Sequence, residues 1–357
     1  MNCIKELLAA RKLPELLEFA DGTKVTADRW EERRLEMLDI LRREEYGYAP
    51  PAPAYVRSEV IQAPKADYAN KATVSYLNLT VPTDKGEFTF PIAQVVPTKR
   101  PESGKVPTFV LINFRPELPD KYFPVEDIVD AGCAVIRIYY NDVAFDGQDN
   151  FAGGIASHFD RSKYTWGKIG MWAWAASRAF DYLESVDWAD LSRVAVIGHS
   201  RLGKTALWCA ANDTRFAMAC VNNSGCSGDA ITRDKKGERV AQITKNFPFW
   251  FCDNYRKYCN NEYGMPFEQH FLVACVCPRK VAIGCALDDE WADPESQYLS
   301  ACAASPAWEL VGKTGIIHPD RLPVPGDFFH SGDVAYHLRA GAHFLSTEDW
   351  RHYLTLI

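Results

Sequence analysis

The sequence predicts a single three-layer α/β domain, in which helices cover both faces of a mostly parallel sheet. Apolar runs typical of buried parallel strands recur at 108–113, 134–140, 194–198, 218–222 and 281–287. Segments with the apolar spacing of helices lie between them, and strands that alternate with helices are typical of a three-layer architecture. No repeat, low-complexity tract or linker divides the 357 residues. We therefore expect one domain spanning 1–357.

Composition argues against several classes of protein. A net charge of −7 and a pI near 5.7 disfavour a surface for nucleic acid or for an anionic membrane. Residues 1–17 mix charged with apolar side chains, so we predict neither a signal peptide nor a membrane span. The expected location is cytoplasmic, unless an export signal has been trimmed from the chain. Nothing in the sequence indicates an oligomeric state.

Cysteine usage points to free thiols. The chain has 11 cysteines, an odd number, and most lie in apolar runs. Buried thiols in a reducing compartment explain this pattern best. Cys275 and Cys277 lie in a strand-like run, where alternate side chains face opposite ways, so a metal pair is not expected there. We predict no metal and no cofactor.

The N-terminal part begins with an expected helical extension over 1–60. Helical apolar spacing in this extension stops at Gly47 and at the prolines that follow, since both residue types end helices. Alternating patterns then occupy 73–80 and 88–96 on either side of a Pro- and Gly-containing turn. This arrangement predicts a hairpin or two edge strands.

The remaining elements follow in order. Residues 125–131 fit a crossover helix between the first two buried strands, and 141–163 form a long polar loop of the kind that is often functional. A strong helical pattern covers 166–186. The aromatic-rich stretch 229–270 is expected to be an insertion near the active site. A final helix is predicted from Thr347.

The chain is organised around 194–207, where four apolar residues run into a Gly-punctuated turn followed by a helix. Interpreted as Gly-x-Ser, the turn is a nucleophile elbow that presents Ser200 at the end of a strand. Interpreted over 198–205, the same letters match a phosphate-binding P-loop and would indicate an NTPase. A P-loop normally opens the first strand–helix unit, whereas several strands precede this turn. The P-loop also leaves Ser200 and His343 without a role.

A serine hydrolase of the α/β-hydrolase fold requires a nucleophile, an acid and a histidine in that order. Ser200 lies at the elbow, acidic residues follow the strand 281–287, and His343 lies in a Gly-flanked loop before the last helix. The candidates for the acid are Asp288, Asp289 and Glu290, with Asp229 and Asp293 as outsiders. The usual elbow has a second Gly where this chain has Leu202, so we expect Gly203 to relieve the crowded turn.

The motif Gly-x-Ser-Arg-x-Gly-Lys at 198–204 resembles the signature of the glucuronoyl esterases, carbohydrate esterase family 15. Further stretches resemble bacterial members of that family: 30–34, 45–47, 223–228, 237–238, 247–251, 268–270, 278–279, 289–294, 341–343 and 349–350. The resemblance implies cleavage of the ester between 4-O-methyl-glucuronic acid on xylan and lignin alcohols, without a metal. A glucuronate-containing saccharide or ester is the expected substrate.

The resemblance also implies roles for single residues. Ser200 is the nucleophile, His343 its base, and the spacing to Trp291 favours Asp289 as the acid. Arg201 stabilises the oxyanion through its backbone N–H and its guanidinium. The residues expected to hold the glucuronate are Lys204, Glu238 and Trp291, with Gln269 as a fourth. The alternative on the same fold is a general carbohydrate or acetyl xylan esterase, which this uronate-binding set argues against.

Overall fold

The structure is a computed structural model that describes residues 3–357. Its strands are Arg57–Asp67 (β1), Ala72–Thr83 (β2), Gly86–Pro97 (β3), Val106–Asn113 (β4), Ala134–Tyr139 (β5), Ala189–His199 (β6), Met218–Asn222 (β7), Lys280–Ala286 (β8), Phe328–Phe329 (β9) and Val334–Arg339 (β10). All ten strands form one sheet in the order β1-β2-β3-β5-β4-β6-β7-β8-β10-β9.

The central six strands, β5, β4, β6, β7, β8 and β10, pair in parallel. The predicted hairpin is confirmed as β2 and β3, which pair antiparallel, and the antiparallel strands β1 and β9 form the two edges. The mostly parallel sheet is therefore confirmed. Because parallel strands end at the same edge of a sheet, the segments after β4, β6, β7, β8 and β10 lie together there.

The helices are Ile4–Ala10 (α1), Trp30–Leu41 (α2), Val125–Asp130 (α3), Tyr140–Val143 (α4), Lys168–Leu183 (α5), Arg201–Asn212 (α6), Val240–Asn246 (α7), Gln269–Ala274 (α8), Pro294–Ala304 (α9), Pro306–Leu310 (α10) and Thr347–Leu354 (α11). Within residues 3–357, no helix is both long and apolar enough to cross a bilayer.

Strand β4 shows how the layers are built. Its side chains alternate between two apolar clusters: Phe109 and Leu111 pack with α3 and α11, whereas Val110 and Ile112 pack with α5 and α6. All four are essentially inaccessible to solvent, and burying each such side chain stabilises the fold by about 1.5–3 kcal/mol. Helices on both faces of the sheet confirm the three-layer sandwich.

Strand β1 was not expected as a separate element. It begins at Arg57, inside the stretch assigned to the N-terminal extension, and every one of its residues is exposed. Even Val60 and Ile61 face solvent. A strand without a buried face has no alternating hydrophobic pattern, so its sequence carries no periodic signal.

The strand-like assignment of Cys275 and Cys277 was wrong. Helix α8 ends at Ala274, and the two cysteines lie in the turn that follows it. Both are buried, as are all the residues of α8. A short apolar run that is buried on every side looks the same whether it is a helix or a strand.

Candidate active site

The turn between β6 and α6 consists of a single residue, Ser200. Its backbone has φ 58° and ψ −127°, a sparsely populated conformation that costs about 1–3 kcal/mol. Two hydrogen bonds hold it: the Ser200 N–H donates to the Asn222 carbonyl at 2.8 Å, and the Gly203 N–H donates to the Ser200 carbonyl at 2.8 Å. The side chain is thereby presented beyond the end of the strand, as the elbow interpretation predicts.

Two glycines make room for this turn. A Cβ at Gly198 would collide with the Leu202 carbonyl oxygen, and a Cβ at Gly203 would lie 3.0 Å from the Asn222 carbonyl oxygen. The backbone of α6 therefore approaches the strand most closely at Gly198. The lack of a side chain at Gly203 relieves a second, less severe contact. Leu202 fits because its side chain is fully buried in the core.

The P-loop interpretation is contradicted by the same geometry. Helix α6 begins at Arg201, so Gly203 and Lys204 belong to its first turn and not to a loop. A phosphate cradle needs several successive backbone N–H groups that converge on the anion. The Lys204 ammonium instead donates to the buried Ser224 carbonyl.

His343 lies beside one carboxylate, that of Asp289. The distance from His343 Nδ1 to Asp289 Oδ2 is 2.6 Å, and the Asp289 side chain is buried while that of His343 is 42% exposed. A proton on Nδ1 is donated to the carboxylate, which leaves Nε2 as the basic nitrogen. Asp288 and Glu290 are exposed and have no bond to the imidazole.

Asp229 and Asp293, the two less favoured candidates for the acid, make structural contacts elsewhere. Asp229 is fully buried and accepts hydrogen bonds from the Ser224 hydroxyl and the Gly225 N–H. Asp293 caps α9 by accepting from the Ser296 N–H. Of the acids left open by the sequence, the structure brings only Asp289 to His343.

Ser200, Arg201 and His343 share one cavity of about 390 Å³. Its other lining residues are Phe114, Arg115, Lys121, Tyr122, Tyr140 and His199. The His199 ring lies 4.4 Å from that of His343, and its Nδ1 is 2.6 Å from Asn222 Oδ1. Burial, assisted by the neighbouring His343, lowers the pKa of His199 to about 3. His199 is therefore a neutral packing partner at ordinary pH.

Arg201 is held by a carboxylate that the sequence did not reveal. Its guanidinium pairs with Asp146, whose other oxygen accepts from the Trp250 indole N–H at 2.7 Å. The guanidinium carbon lies 4.8 Å from the centre of the Trp250 ring and 5.4 Å from that of Phe247. The loop 141–163 and the stretch 229–270 thus meet at this arginine. The functional character expected of a long polar loop was the only sequence signal for Asp146.

If the chain is the uronate esterase that the sequence leads us to expect, replacing Asp146 by asparagine should lower its kcat/KM about tenfold, because Arg201 loses the charge that orients it beside Ser200. Steady-state kinetics on benzyl glucuronate measure this effect. The matched control is Asp142→Asn, in the same segment and without a bond to Arg201. Unchanged kinetics in the Asp146 variant would contradict a positioning role for this carboxylate.

Two of the expected sugar contacts, Glu238 and Trp291, are neighbours. The Glu238 N–H donates to the Trp291 carbonyl at 3.0 Å. Trp291 is 54% exposed and lines a second cavity of about 480 Å³, whereas Glu238 is buried. Lys204 is also buried, and burial lowers the pKa of its ammonium. Contact of Lys204 with a sugar stays a prediction.

Gln269 does not reach either cavity, which corrects its expected role. It begins α8, is completely buried, and its amide nitrogen lies 3.2 Å from both carboxylate oxygens of Glu45. The motif 268–270 therefore belongs to the interior. Its Glu268 accepts from the backbone N–H groups of Thr232 and Arg233. Because every residue of this short helix is buried, the sequence has no periodic pattern that would have shown Gln269 to lie in the interior.

Glu45 makes stability depend on pH. Burial raises the pKa of its carboxyl from 4.5 to about 8. Between those values the folded protein binds a proton that the unfolded chain has lost, so the free energy of unfolding falls as pH rises from about 4.5 to about 8. We expect Glu45→Gln to gain stability relative to the native chain over this interval, by about 2–4 kcal/mol at the upper end.

Urea unfolding at several pH values between 5 and 8.5 tests this expectation. The control is Glu59→Gln, an exposed residue on β1. A difference between Glu45→Gln and the native chain that stays constant with pH would contradict it.

The chain is similar to known carbohydrate esterases over much of its length. A family model described as "Glucuronyl esterase, fungi" matches residues 79–312. A carbohydrate esterase from an unknown prokaryotic organism is 39% identical over 237 residues, covering 64% of this chain and 54% of the relative. A 4-O-methyl-glucuronoyl methylesterase from Podospora anserina is 29% identical over 316 residues, covering 85% and 61%. The chain thus spans less than two thirds of the length of these two relatives.

Solved structures match more completely. A glucuronoyl esterase from Solibacter usitatus superposes with a TM-score of 0.88 at 33% identity, covering 96% of each chain. A promiscuous esterase of carbohydrate esterase family 15 from a marine bacterial metagenome gives a TM-score of 0.87 at 29% identity, also covering 96% of each chain. This likeness confirms the predicted α/β-hydrolase fold.

Proposed function

Because the chain belongs to the glucuronoyl esterases of carbohydrate esterase family 15, we propose that it is a serine esterase that hydrolyses 4-O-methyl-glucuronoyl esters. The substrate would be an ester between the glucuronate side groups of xylan and lignin-type alcohols. Hydrolysis would proceed through an acyl-enzyme on Ser200.

The observation that carries this proposal is the convergence of three groups. Ser200 at the strained elbow and His343, which is paired with Asp289 at 2.6 Å, line the same cavity. A serine, a histidine and an oriented carboxylate in this chain order support acyl transfer.

The reaction then has two halves. His343 Nε2 removes the Ser200 hydroxyl proton as the oxygen attacks the uronate carbonyl, and it returns the proton to the departing alcohol. A water molecule repeats the sequence on the acyl-enzyme and releases the uronic acid. The Arg201 backbone N–H and guanidinium stabilise the oxyanion in both halves. Asp289 keeps the imidazole oriented and stabilises its charged form.

The uronate is assigned to the side of Ser200 where β7 and β8 end. Lys204 and Glu238 supply charged groups for its hydroxyls, and the exposed Trp291 supplies an aromatic face for the sugar ring. The backbone hydrogen bond that joins Glu238 to Trp291, together with the exposure of the Trp291 side chain, supports this assignment.

Separate assays on three substrates test the proposal. The full chain is assayed on benzyl glucuronate, p-nitrophenyl acetate and ATP, and kcat/KM for the uronate ester is expected to be the highest. Equal values for acetate and uronate would indicate a general carbohydrate or acetyl esterase. Hydrolysis of ATP without esterase activity would overturn the hydrolase assignment altogether.

A further inference from the structure

The catalytic cavity has a basic wall that the proposed chemistry does not use. Arg115 and Lys121 both follow β4, and both line the cavity together with Ser200 and His343. They belong to a chain whose net charge is −7, so two cations at the catalytic cavity are not a consequence of a generally basic surface.

Lys121 has no carboxylate within ion-pair distance among residues 3–357. Its ammonium instead lies 4.8 Å from the centre of the Tyr122 ring and 5.7 Å from that of Phe344. The residue is exposed, so its charge is available to a ligand that enters the cavity.

Arg115 has two carboxylates within ion-pair distance, but about half of its side chain remains exposed. Its Nε lies 3.4 Å from Asp120 Oδ1 and 3.7 Å from Glu117 Oε2. The other oxygen of Asp120 accepts from the Asn113 amide at 2.6 Å, so this carboxylate is shared. The Arg115 side chain is 51% exposed.

An aromatic shelf lies beside the two cations. The Tyr122 ring packs against Phe344 with centres 5.0 Å apart, against Phe114 at 5.7 Å and against His199 at 5.6 Å. The Trp350 indole N–H donates to the Tyr122 carbonyl at 2.8 Å and anchors this segment to α11. A shelf held from several sides is pre-organised for a flat ligand ring.

The order of the strands decides which part of a substrate meets this wall. β6, which ends at His199 just before Ser200, lies between β4 on one side and β7 and β8 on the other. Residues assigned to the uronate come from the β7 and β8 side, so the β4 side faces the alcohol half of the ester. This step rests on the proposed function.

We propose that Arg115, Lys121 and Tyr122 form a leaving-group subsite that selects aromatic alcohols carrying a negative charge, such as a ring carboxylate. The ring packs against Tyr122 beside the ammonium of Lys121, and the carboxylate meets that ammonium and the guanidinium of Arg115. Ester hydrolysis is unchanged in its steps, and the subsite acts on kcat/KM for acylation because the alcohol is present only until the acyl-enzyme forms.

Three glucuronate esters test the subsite: benzyl, 4-carboxybenzyl and 4-(aminomethyl)benzyl glucuronate. The native chain should show the highest kcat/KM for the carboxybenzyl ester and the lowest for the aminomethyl ester. In Lys121→Gln the ratio of carboxybenzyl to benzyl should fall about threefold, and in Arg115→Gln/Lys121→Gln about tenfold, as for partly exposed ion pairs. Lys121→Glu should reverse the order. Ratios between esters cancel any general loss of activity in a variant.

Lys105→Gln is the matched control, because Lys105 is an exposed lysine directly before the opposite end of β4. The ester ratios of this variant should equal those of the native chain. A fourth substrate, 5-carboxypentyl glucuronate, carries the negative charge without the aromatic ring. Its kcat/KM should be lower than that of the carboxybenzyl ester. The preference of the native chain for the carboxybenzyl over the benzyl ester should also shrink when the salt concentration rises from about 0.02 M to about 0.5 M, because charges near the surface are screened.

The outcomes separate the two proposals. No hydrolysis of any glucuronate ester overturns the proposed function. Hydrolysis of all three esters with similar kcat/KM, or a preference that Lys121→Glu leaves in place, overturns the subsite while the esterase function stands.

Discussion

Replacing Ser200 by alanine is expected to lower kcat on benzyl glucuronate at least about 10⁴-fold, because no other group of the cavity replaces the attacking oxygen. A positive φ is similarly unfavourable for alanine and for serine, so the substitution leaves the backbone strain of the elbow unchanged. The melting temperature of the variant should therefore stay close to that of the native chain.

Ser192→Ala serves as the control for Ser200, since Ser192 lies on β6 far from the cavity and its hydroxyl, among residues 3–357, bonds to Asp190. Kinetics and thermal unfolding are measured on all three proteins. If Ser200→Ala kept a tenth or more of the native kcat while remaining folded, the serine mechanism would be wrong.

Asp289→Asn is expected to lower kcat about 10²- to 10⁴-fold. The amide cannot stabilise the imidazolium that forms during attack, and its NH₂ group favours the wrong tautomer of His343. KM should change much less than kcat, because Asp289 acts on the transition state and not on the bound ester.

Asp288→Asn is the matched control for this second variant, since Asp288 is the neighbouring acid, exposed and not bonded to His343. Its kcat should remain within about twofold of the native value. Loss of activity in Asp288→Asn together with retention in Asp289→Asn would assign the acid to the other residue.

The central sheet was predictable because parallel strands buried on both faces form continuous apolar runs. β4, β5, β7 and β8 were found within two residues of their bounds from such runs. β1 was not found, because it has no buried face. The turn at Cys275 was mistaken for a strand, because burial on every side removes the periodicity that distinguishes the two.

The candidate site was predictable where chain order carries the information. The order of serine, acid and histidine follows from where strands end, so Ser200 and His343 could be named from the sequence. Asp146 could not, because its pairing with Arg201 joins residues 55 positions apart. Gln269 was misplaced for the same reason, since its burial against Glu45 spans 224 positions.

The sequence by itself determined the fold class, because hydrophobic periodicity is a local property of the chain, and the order of its motifs was enough to predict the nucleophile and its histidine. Only the tertiary structure decided which of three adjacent carboxylates meets His343, which carboxylate orients Arg201, and that Arg115 and Lys121 line the catalytic cavity. These are contacts between segments that different strands bring to one edge of the sheet. Their distances depend on how the strands are ordered, and no local pattern encodes that order.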